Sequence, residues 1–531
     1  MRLAGRDAAW LAGLLGVIVA GSLARPLLPI DETRYASVAW EMWSRGDFLV
    51  PHLNGQPYHH KPPLLFWLIH AGWAVFGVND WWLRWISPLF AAGTLGCCAV
   101  LARQLWPQQR EVARMAPYVL LASALFVYFA SALMFDAMLG FFVVLGFVGL
   151  AHAWRSGALG QGFALFAVGL GGALYSKGPV GLVHLLPAAL LAPWWMREQR
   201  PRWGRWYAGA GLAVLGAALL ILAWAVPAGL AGGEDYQRAI FWGQSAGRMV
   251  RSFAHVAPWW FYLAYLPLML APWLLWPRWW RGLQPVSQWD SGLRLVVMSL
   301  TVALVFFSAI SGKRWQYLLP EFSLFALLLA RALATTRSPG GRLVVPALTL
   351  GAVGVAAFVA APWLAGRLGG LDDALALRWG GALAVACGVA LAVCRPGEPL
   401  HDVRRVATAS VVAMSGLLAA FSAAMREPYD MQAIAARLAQ FERDGRPLAI
   451  NGRYHGQWTL PARLRHPLAE VPDDQVDAWL ANHREGRALF VYREENQLPG
   501  GARVDYARRY RGAWIAILSP APGRTAGARP D

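Results

Sequence analysis

Apolar residues fill long stretches of the chain between Ala8 and about position 425, separated by short polar connections. A helix needs about 20 such residues to cross a bilayer. Stretches of that kind lie at 8–29, 85–103, 114–134, 137–154, 162–176, 179–196, 207–230, 258–278, 293–311, 314–334, 343–365, 376–394 and 405–425. The pattern therefore predicts an all-α polytopic membrane domain of about thirteen transmembrane helices over 1–425. One more apolar stretch, 64–78, is short, follows Pro62-Pro63 and carries His70.

Charge decides how that short stretch is counted. With a cytoplasmic N-terminus and a non-crossing 64–78, the connections 104–113, 197–206, 279–292, 335–342 and 395–405 all face the cytoplasm. They or their edges carry Arg110, Arg197, Arg200, Arg202, Arg205, Arg281, Arg337, Arg342, Arg395 and Arg404. Counting 64–78 as a span inverts everything after it and moves these arginines outside. The positive-inside rule thus favours thirteen spans, with 64–78 as a re-entrant or interfacial helix. Segments 30–84 and 231–257, the turns at Asp136, Lys177 and Lys313, and the tail 426–531 then share one extracytoplasmic side. A site can be assembled there from distant parts of the chain.

The tail changes character. Helical periodicity over Met431–Phe441 precedes a strand at Pro447–Asn451, a helix over Asp474–His483, and strands at Ala488–Tyr492 and Trp514–Leu518. This predicts a small periplasmic α/β domain at 426–531. Its last dozen residues, rich in Gly, Pro and Arg, are expected to be disordered. It carries no motif and is expected to cap the site and help select the acceptor.

The first outer loop, 30–84, is the most legible polar segment. Asp31 suits a helix N-cap, and Glu32 falls in the first turn where the helix dipole favours acid. Tyr35, Val38, Ala39, Met42 and Trp43 follow i, i+3, i+4, i+7, i+8 spacing, with Arg34, Glu41 and Arg45 opposite. The expectation is an amphipathic helix lying on the membrane surface and ended by Gly46. A turn at Asn54-Gly55 follows, then Tyr58, His59, His60 and Lys61 directly before the Pro pair that starts the short helix.

Composition agrees with the pattern. Apolar residues make up 57% of the 531 and charged residues 15%, whereas a soluble domain carries roughly 25% charged. The 29 tryptophans suit indoles anchored at headgroup depth. The net charge of +18 is accounted for by positive cytoplasmic loops, and nucleic acid is not expected as a partner. Cys97, Cys98, Cys387 and Cys394 all lie in or beside apolar stretches, so neither disulfides nor a zinc–thiolate site is expected. Arg2 and Arg6 before the first apolar run resemble a signal sequence. Without a convincing cleavage site it reads as an uncleaved first helix.

Charged groups at the ends of spans are costly and mark function. On the extracytoplasmic side they comprise the carboxylates Asp31, Glu32 and Asp136 and the cations Lys61, Lys177, Arg248 and Lys313, with Arg251 and His255 near Arg248. An acid facing several cations suits displacement at a carbon that bears a phosphate. A base takes the acceptor's proton, and fixed cations stabilise the charge that grows on the leaving phosphate. A site in the membrane with cations at its mouth implies a donor whose phosphate is attached to a lipid. No phosphate-cradling Gly-rich motif stands where a nucleotide would need it.

The run Asp31-Glu32-Thr33-Arg34-Tyr35, with Gly46-Asp47 and Tyr58-His59-His60-Lys61-Pro62-Pro63-Leu64, resembles the first periplasmic loop of the aminoarabinose (4-amino-4-deoxy-L-arabinose) lipid A transferase family. That family groups with the protein O-mannosyltransferases in the C-type glycosyltransferase superfamily. The likeness extends to Ser176-Lys177-Gly178, Phe307-Ser308, Gly312-Lys313 and Tyr317-Leu318-Leu319-Pro320. It implies an inverting inner-membrane glycosyltransferase that uses a polyprenyl-phosphate (undecaprenyl-phosphate) sugar. Asp31 would be the catalytic carboxylate, with Asp136 supporting it. Lys61 and Arg248 would grip the donor phosphate, with Lys177 and Lys313 as further cations. Tyr35, Tyr58 and Tyr317, with Arg34, would line the donor pocket. Lipid A or a related envelope glycolipid is the implied acceptor.

Two positions depart from the family. Its members carry Glu directly before the lysine, where this chain has His60. They also carry His a few residues before the phosphate-gripping arginine, where this chain reads Gly243-Gln244-Ser245-Ala246-Gly247. The family associates those positions with a bound divalent metal, and no metal set is read here. Protein hydroxyls are the alternative acceptor. A lipid or sugar transporter is a weaker alternative, because transporters place charges near the midplane, often with internal repeats.

Overall fold

The computed structural model describes residues 5–243, 256–336, 343–368 and 373–521, in two compact units. One comprises Met1–Ala24, His59–Phe358 and Trp379–Ala419; the other comprises Arg25–Tyr58, Val359–Arg378 and Ala420–Asp531. Arg248, Arg251, His255, the 243–247 run beyond Gly243, and the Gly/Pro/Arg-rich end from 522 lie outside the described residues.

Among the described residues of the chain, ten helices are long and apolar enough to cross a membrane. They are Gly5–Ala24, Trp81–Leu105, Phe135–Ser156, Leu159–Lys177, Trp203–Gly232, Ser291–Ala309, Trp315–Thr335, Val344–Gly366, Ala374–Val393 and Pro399–Ala424. Arg110–Leu121 and Ala124–Ser131, bent by 67°, make an eleventh if taken as one span. The other two stretches of the thirteen are helical but broken. The 179–196 stretch forms Val180–Leu190 and a single turn at Ala192–Trp195, and 258–278 retains only Phe261–Met269 before Pro277–Arg281. The first breaks at Leu191, just before the turn that carries Pro193, and the second ends at Leu270, just before Pro272, which lacks the backbone donor that a continuing helix needs; Pro277 starts the next turn. The ambiguous 64–78 stretch forms the short helix Leu64–Phe76 directly after Pro63.

The tightest packing in the helical unit is the hairpin of Phe135–Ser156 and Leu159–Lys177. It turns at Gly157, which adopts φ +69. A Cβ on Gly149 would lie 2.6 Å from the Phe166 backbone nitrogen, and one on Gly169 would lie 2.6 Å from that of Gly146. Only glycine lets the two backbones come this close, and small residues drive helix association where lipid replaces water.

One end of the unit is stitched by arginine–aspartate pairs. Asp7 meets Arg114 at 2.9 Å, Arg404, and the Tyr118 hydroxyl at 3.0 Å. Asp402 meets Arg278 at 2.6 Å. Asp290 accepts from Trp106 and caps Ser291–Ala309 through the Leu293 N–H. These acids begin spans that run the same way, so they share one end.

The other unit contains the C-terminal α/β domain. Its strands are β1 (His52–Leu53), β2 (Gln56–Pro57), β3 (Leu448–Asn451), β4 (Ala469–Val471), β5 (Arg487–Tyr492), β6 (Ala502–Tyr510) and β7 (Ala513–Pro520). β1 and β2 form a small hairpin, and the remaining five form one sheet in the order β4-β3-β5-β7-β6. β3 is parallel to β4 and β5, while β7 is antiparallel to β5 and β6. The Gln432–Arg443 helix packs Ile434 and Leu438 on one face with Trp458 and Ile517; Val476 and Leu480 pack on the other with Phe490 and Leu518.

Candidate functional site

In the helical unit the hairpin geometry determines where Asp136 and Lys177 meet. Asp136 is the second residue of Phe135–Ser156, and Lys177 is the last of Leu159–Lys177. At 1.5 Å per residue the two stand about 30 Å and about 27 Å from the shared turn, so they arrive at one level. The Lys177 ammonium donates to Asp136 Oδ1, and both side chains are nearly inaccessible. The pairing is consistent with both helix dipoles, with acid at a helix start and base at a helix end. Buried in apolar surroundings, neither charge is tolerable without the other.

Two more candidates adjoin this pair. The Lys177 nitrogen lies 5.7 Å from the Tyr317 ring centre, and the Lys61 nitrogen lies 5.8 Å from that of Phe135, the residue before Asp136. Lys61, Asp136, Lys177 and Tyr317 are thus brought together. Lys313 acts differently. Its ammonium donates to the carbonyls of Ala257 at 2.9 Å and Ile310 at 2.5 Å, and burial holds its pKa below the ordinary lysine value. It ties its own turn to the chain that emerges from the segment carrying Arg248.

The chain's only lysines are Lys61, Lys177 and Lys313. Every other fixed cation is arginine, a bias in the composition that singles out these positions. A further pair escaped the sequence reading: His184 Nδ1 and Glu321 Oε1 lie 2.5 Å apart, both fully buried. The signal was available, since His184 interrupts an apolar run and Glu321 follows Leu318-Leu319-Pro320 inside a span.

Asp31, Glu32, Arg34, Tyr35 and Tyr58 belong to the other unit. The loop helix runs Asp31–Arg45, so Asp31 is its first residue and Ile30, not Asp31, occupies the cap position. Asp31 is half-exposed and 3.6 Å from the Arg34 guanidinium. Glu32 is buried and receives both terminal nitrogens of Arg25 at 2.5 Å and the Leu28 N–H at 2.7 Å. Tyr35 and Tyr58 are buried. Gly46 ends the helix with φ +69, as its sequence suggests, and Asn54-Gly55 turns with φ +51 and +79.

The surface-lying amphipathic helix is corrected in one respect. Trp40 and Glu41 are buried by protein, while Ser44 and Arg45 stay exposed. Trp40 Nε1 donates to the Leu464 carbonyl at 2.7 Å, under the Arg463 guanidinium. Glu41 accepts the N–H groups of Asn54 at 2.6 Å and Gly55 at 2.9 Å. Asn54 in turn bonds both the N–H and the carbonyl of Leu468. Burial pushes the Glu41 carboxyl above the ordinary glutamate value, and the two N–H donors offset part of that shift. The helix therefore serves as a bracket held by protein.

The His59 and His60 rings adjoin with centres 4.3 Å apart, tilted by 52°. Among the described residues no group of three or more His, Cys, Asp or Glu is placed to hold a metal ion.

A profile described as dolichyl-phosphate-mannose-protein mannosyltransferase matches residues 22–232. A Pseudomonas fluorescens protein named undecaprenyl phosphate-alpha-4-amino-4-deoxy-L-arabinose arabinosyl transferase 2 is 33% identical over 316 residues, covering 57% of this chain and 55% of that one. A Pseudomonas aeruginosa transferase of the same activity name is 33% identical over 315 residues, with the same coverage. The chain thus spans about half the length of the curated relatives it matches. The crystal structures of ArnT from Cupriavidus metallidurans superpose with a TM-score of 0.79 (bound to undecaprenyl phosphate, 18% identity, 99% of both chains) and 0.81 (apo, 19% identity, 97% of this chain and 98% of that one). The resemblance read from the first loop is borne out: this multi-pass membrane protein is similar in sequence to the aminoarabinose transferases over more than half its length, and it has the C-type glycosyltransferase fold.

Proposed function

We propose that the chain transfers a sugar from a polyprenyl-phosphate donor to lipid A or a related envelope glycolipid, on the periplasmic face of the inner membrane. The observation that carries this reading is the buried Asp136–Lys177 pair beside Tyr317 and Lys61, an acid with two lysines at the ends of apolar helices. Similarity to named arabinosyl transferases supports the choice of donor. In the reaction an acceptor oxygen adds to the anomeric carbon as the carbon–oxygen bond to phosphate breaks. The bonding electrons leave with polyprenyl phosphate, and an acceptor hydroxyl gives its proton to Asp31. Lys61 and Arg248 neutralise the departing phosphate, Asp136 supports the reacting centre through Lys177, and Tyr35, Tyr58 and Tyr317 line the donor. The mannosyltransferase profile favours protein hydroxyls as the second acceptor class.

The test is a mass spectrum of envelope lipids from cells with the protein, without it, and with Asp31→Asn. A sugar-sized mass increment that requires the protein and disappears in the variant is expected, and its mass identifies the sugar. Unchanged lipids would move the acceptor to glycoproteins, and an increment undiminished in Asp31→Asn would remove Asp31 from catalysis.

A further inference from the structure

The carboxyl edge of the C-terminal sheet gathers cations that the proposed reaction does not use. The chain leaves β3 toward β4 and then crosses back to β5 on the other side of β3. That reversal makes the carboxyl ends of β3 and β5 a crevice of the kind where α/β sheets bind ligands. The loop after β3 is bounded by Gly452 at φ +69 and Gly456 at φ +79, and it carries Arg453 and His455. Tyr492, the last residue of β5, pairs with Trp514, which brings the β6–β7 turn at Arg511-Gly512 to the same edge. The loop helix completes the group. Gly456 lies so close to Ser37 that a Cβ there would be 2.5 Å from its hydroxyl, and Ser37 is one turn along the helix from Arg34.

Four cationic or titratable groups from three segments therefore converge. Burial lowers the His455 pKa first, and Arg34, Arg453 and Arg511 lower it further against the opposing Glu470. Arg34 Nε is buried with no hydrogen-bond partner among the described residues, and the Ser37 hydroxyl beside it is in the same state. Of the neighbouring carboxylates, Asp31 lies 3.6 Å from a terminal nitrogen of Arg34, Glu470 accepts the Tyr454 N–H at 3.0 Å, and Glu494 caps the Glu495–Gln497 turn. Arg453 and Arg511 are exposed, so their guanidinium groups are open to an arriving anion.

We propose that this edge binds a phosphate group of the acceptor headgroup, held by Arg453, His455 and Arg511 of the C-terminal domain and by Arg34 of the loop helix. The inference rests on the glycosyltransferase reading and deepens it by naming what the acceptor must carry. Forked guanidinium donors match phosphate oxygens, and the Arg34 Nε–H, buried without a hydrogen bond beside three positive neighbours, is a donor that an anion would satisfy. The helix that carries Arg34 also carries Asp31, so phosphate bound here places the acceptor against the same helix.

The test uses the full chain in detergent and native mass spectrometry, with diphosphoryl lipid A and its dephosphorylated form as probes. Wild type should prefer the phosphorylated lipid by about tenfold, the size of one charge-assisted contact. Arg453→Ala with Arg511→Asn should abolish that preference without weakening binding of the dephosphorylated lipid; asparagine tolerates the left-handed conformation at 511. Arg453→Lys should retain most of it. In turnover the double variant should raise the acceptor KM about tenfold while kcat and the donor KM stay unchanged. Displacement of the lipid by millimolar inorganic phosphate supports recognition of phosphate alone, and resistance to displacement supports recognition of the phosphorylated headgroup. Equal binding of both lipids by wild type, or an unaltered preference in the double variant, overturns the site. If wild type binds as expected but moves no sugar from any polyprenyl-phosphate donor, the transferase reading fails and the site stands. If both proteins transfer sugar with equal acceptor KM, the site fails and the transferase reading stands.

Discussion

The two ends of the helical unit handle buried acids differently. At one end Asp7 and Asp402 are held by arginines, Asp7 by Arg114 and Arg404, Asp402 by Arg278. At the other, Asp136 pairs with Lys177, and the remaining lysines of the chain are on that side too. A guanidinium is a rigid fork that stays charged and holds its partner in a fixed geometry, whereas an ammonium is a point charge on a flexible stem that can change partners. The arginine end is built to stay as it is. The lysine end pairs its acid with a cation whose flexible stem can reorient toward another partner.

The sharpest way to break this comparison is to neutralise both members of the lysine pair. Asp136→Asn alone should cut sugar transfer by about a hundredfold or more, but it also leaves Lys177 buried without its counter-charge. Asp136→Asn with Lys177→Met removes that strain, so thermal stability should return to near wild type while transfer stays lost. If transfer also returns, the pair is a structural staple like those at the other end.

At the arginine end the expectation reverses. Asp402→Asn leaves Arg278 buried and unpaired, at a cost of about 3–5 kcal/mol. It should lower the melting temperature in detergent while the remaining folded enzyme keeps its kcat. A kcat that falls in step with stability would mean that the two ends are coupled and the division of labour is wrong.

A third, smaller effect concerns the bracket around the loop helix. Asn54→Ala removes both bonds to Leu468, worth about 1–3 kcal/mol locally. Amide hydrogen exchange over residues 47–57 should accelerate, with little change in the transmembrane helices. Uniform acceleration would show that the bracket is not a separate unit.

These regions were unequally legible in the sequence. Gly46, Asn54-Gly55 and Pro62-Pro63 were readable because each acts through its own backbone preference. Strand β5 was readable because both its faces are buried, which gives an almost continuous apolar run. Strand β6 (ARVDYARRY) was missed because it is an edge strand whose arginines and aspartate protect an open edge, and they make it look like a loop. The three-residue β4 is too short for any periodicity. The broken apolar stretches at 179–196 and 258–278 counted as spans because hydropathy measures length and ignores where proline interrupts it. The burial of Trp40 could not be read at all, because its partner Leu464 lies more than four hundred positions away, and that of Glu41 depends on the Asn54-Gly55 turn folding back onto the helix. The candidate carboxylates and lysines were found by their place at span ends; the absence of lysine elsewhere in the chain was the stronger signal and went unused.

The smallest effect expected is a titration. Glu41 is buried and its pKa is raised above the ordinary glutamate value of 4.5 in the folded chain, chiefly by loss of solvent. Between that value and the folded one, the folded state binds more protons than the unfolded state. The contribution to stability is therefore complete below about pH 4.5 and is lost as pH rises through the folded pKa. Protection of residues 47–57 from exchange, corrected for intrinsic rates, should decline modestly as pH rises from the mid-fours toward neutrality. Glu41→Gln lowers protection at every pH, by about 1 kcal/mol, because its amide nitrogen faces one of the two N–H donors. It also has no proton to lose, so its protection should be flat across the same range. The slope, and not the offset, reports the buried carboxyl: an equal slope in both proteins would assign the titration to another group, with His52 beside the hairpin, whose pKa burial lowers, as the next to examine.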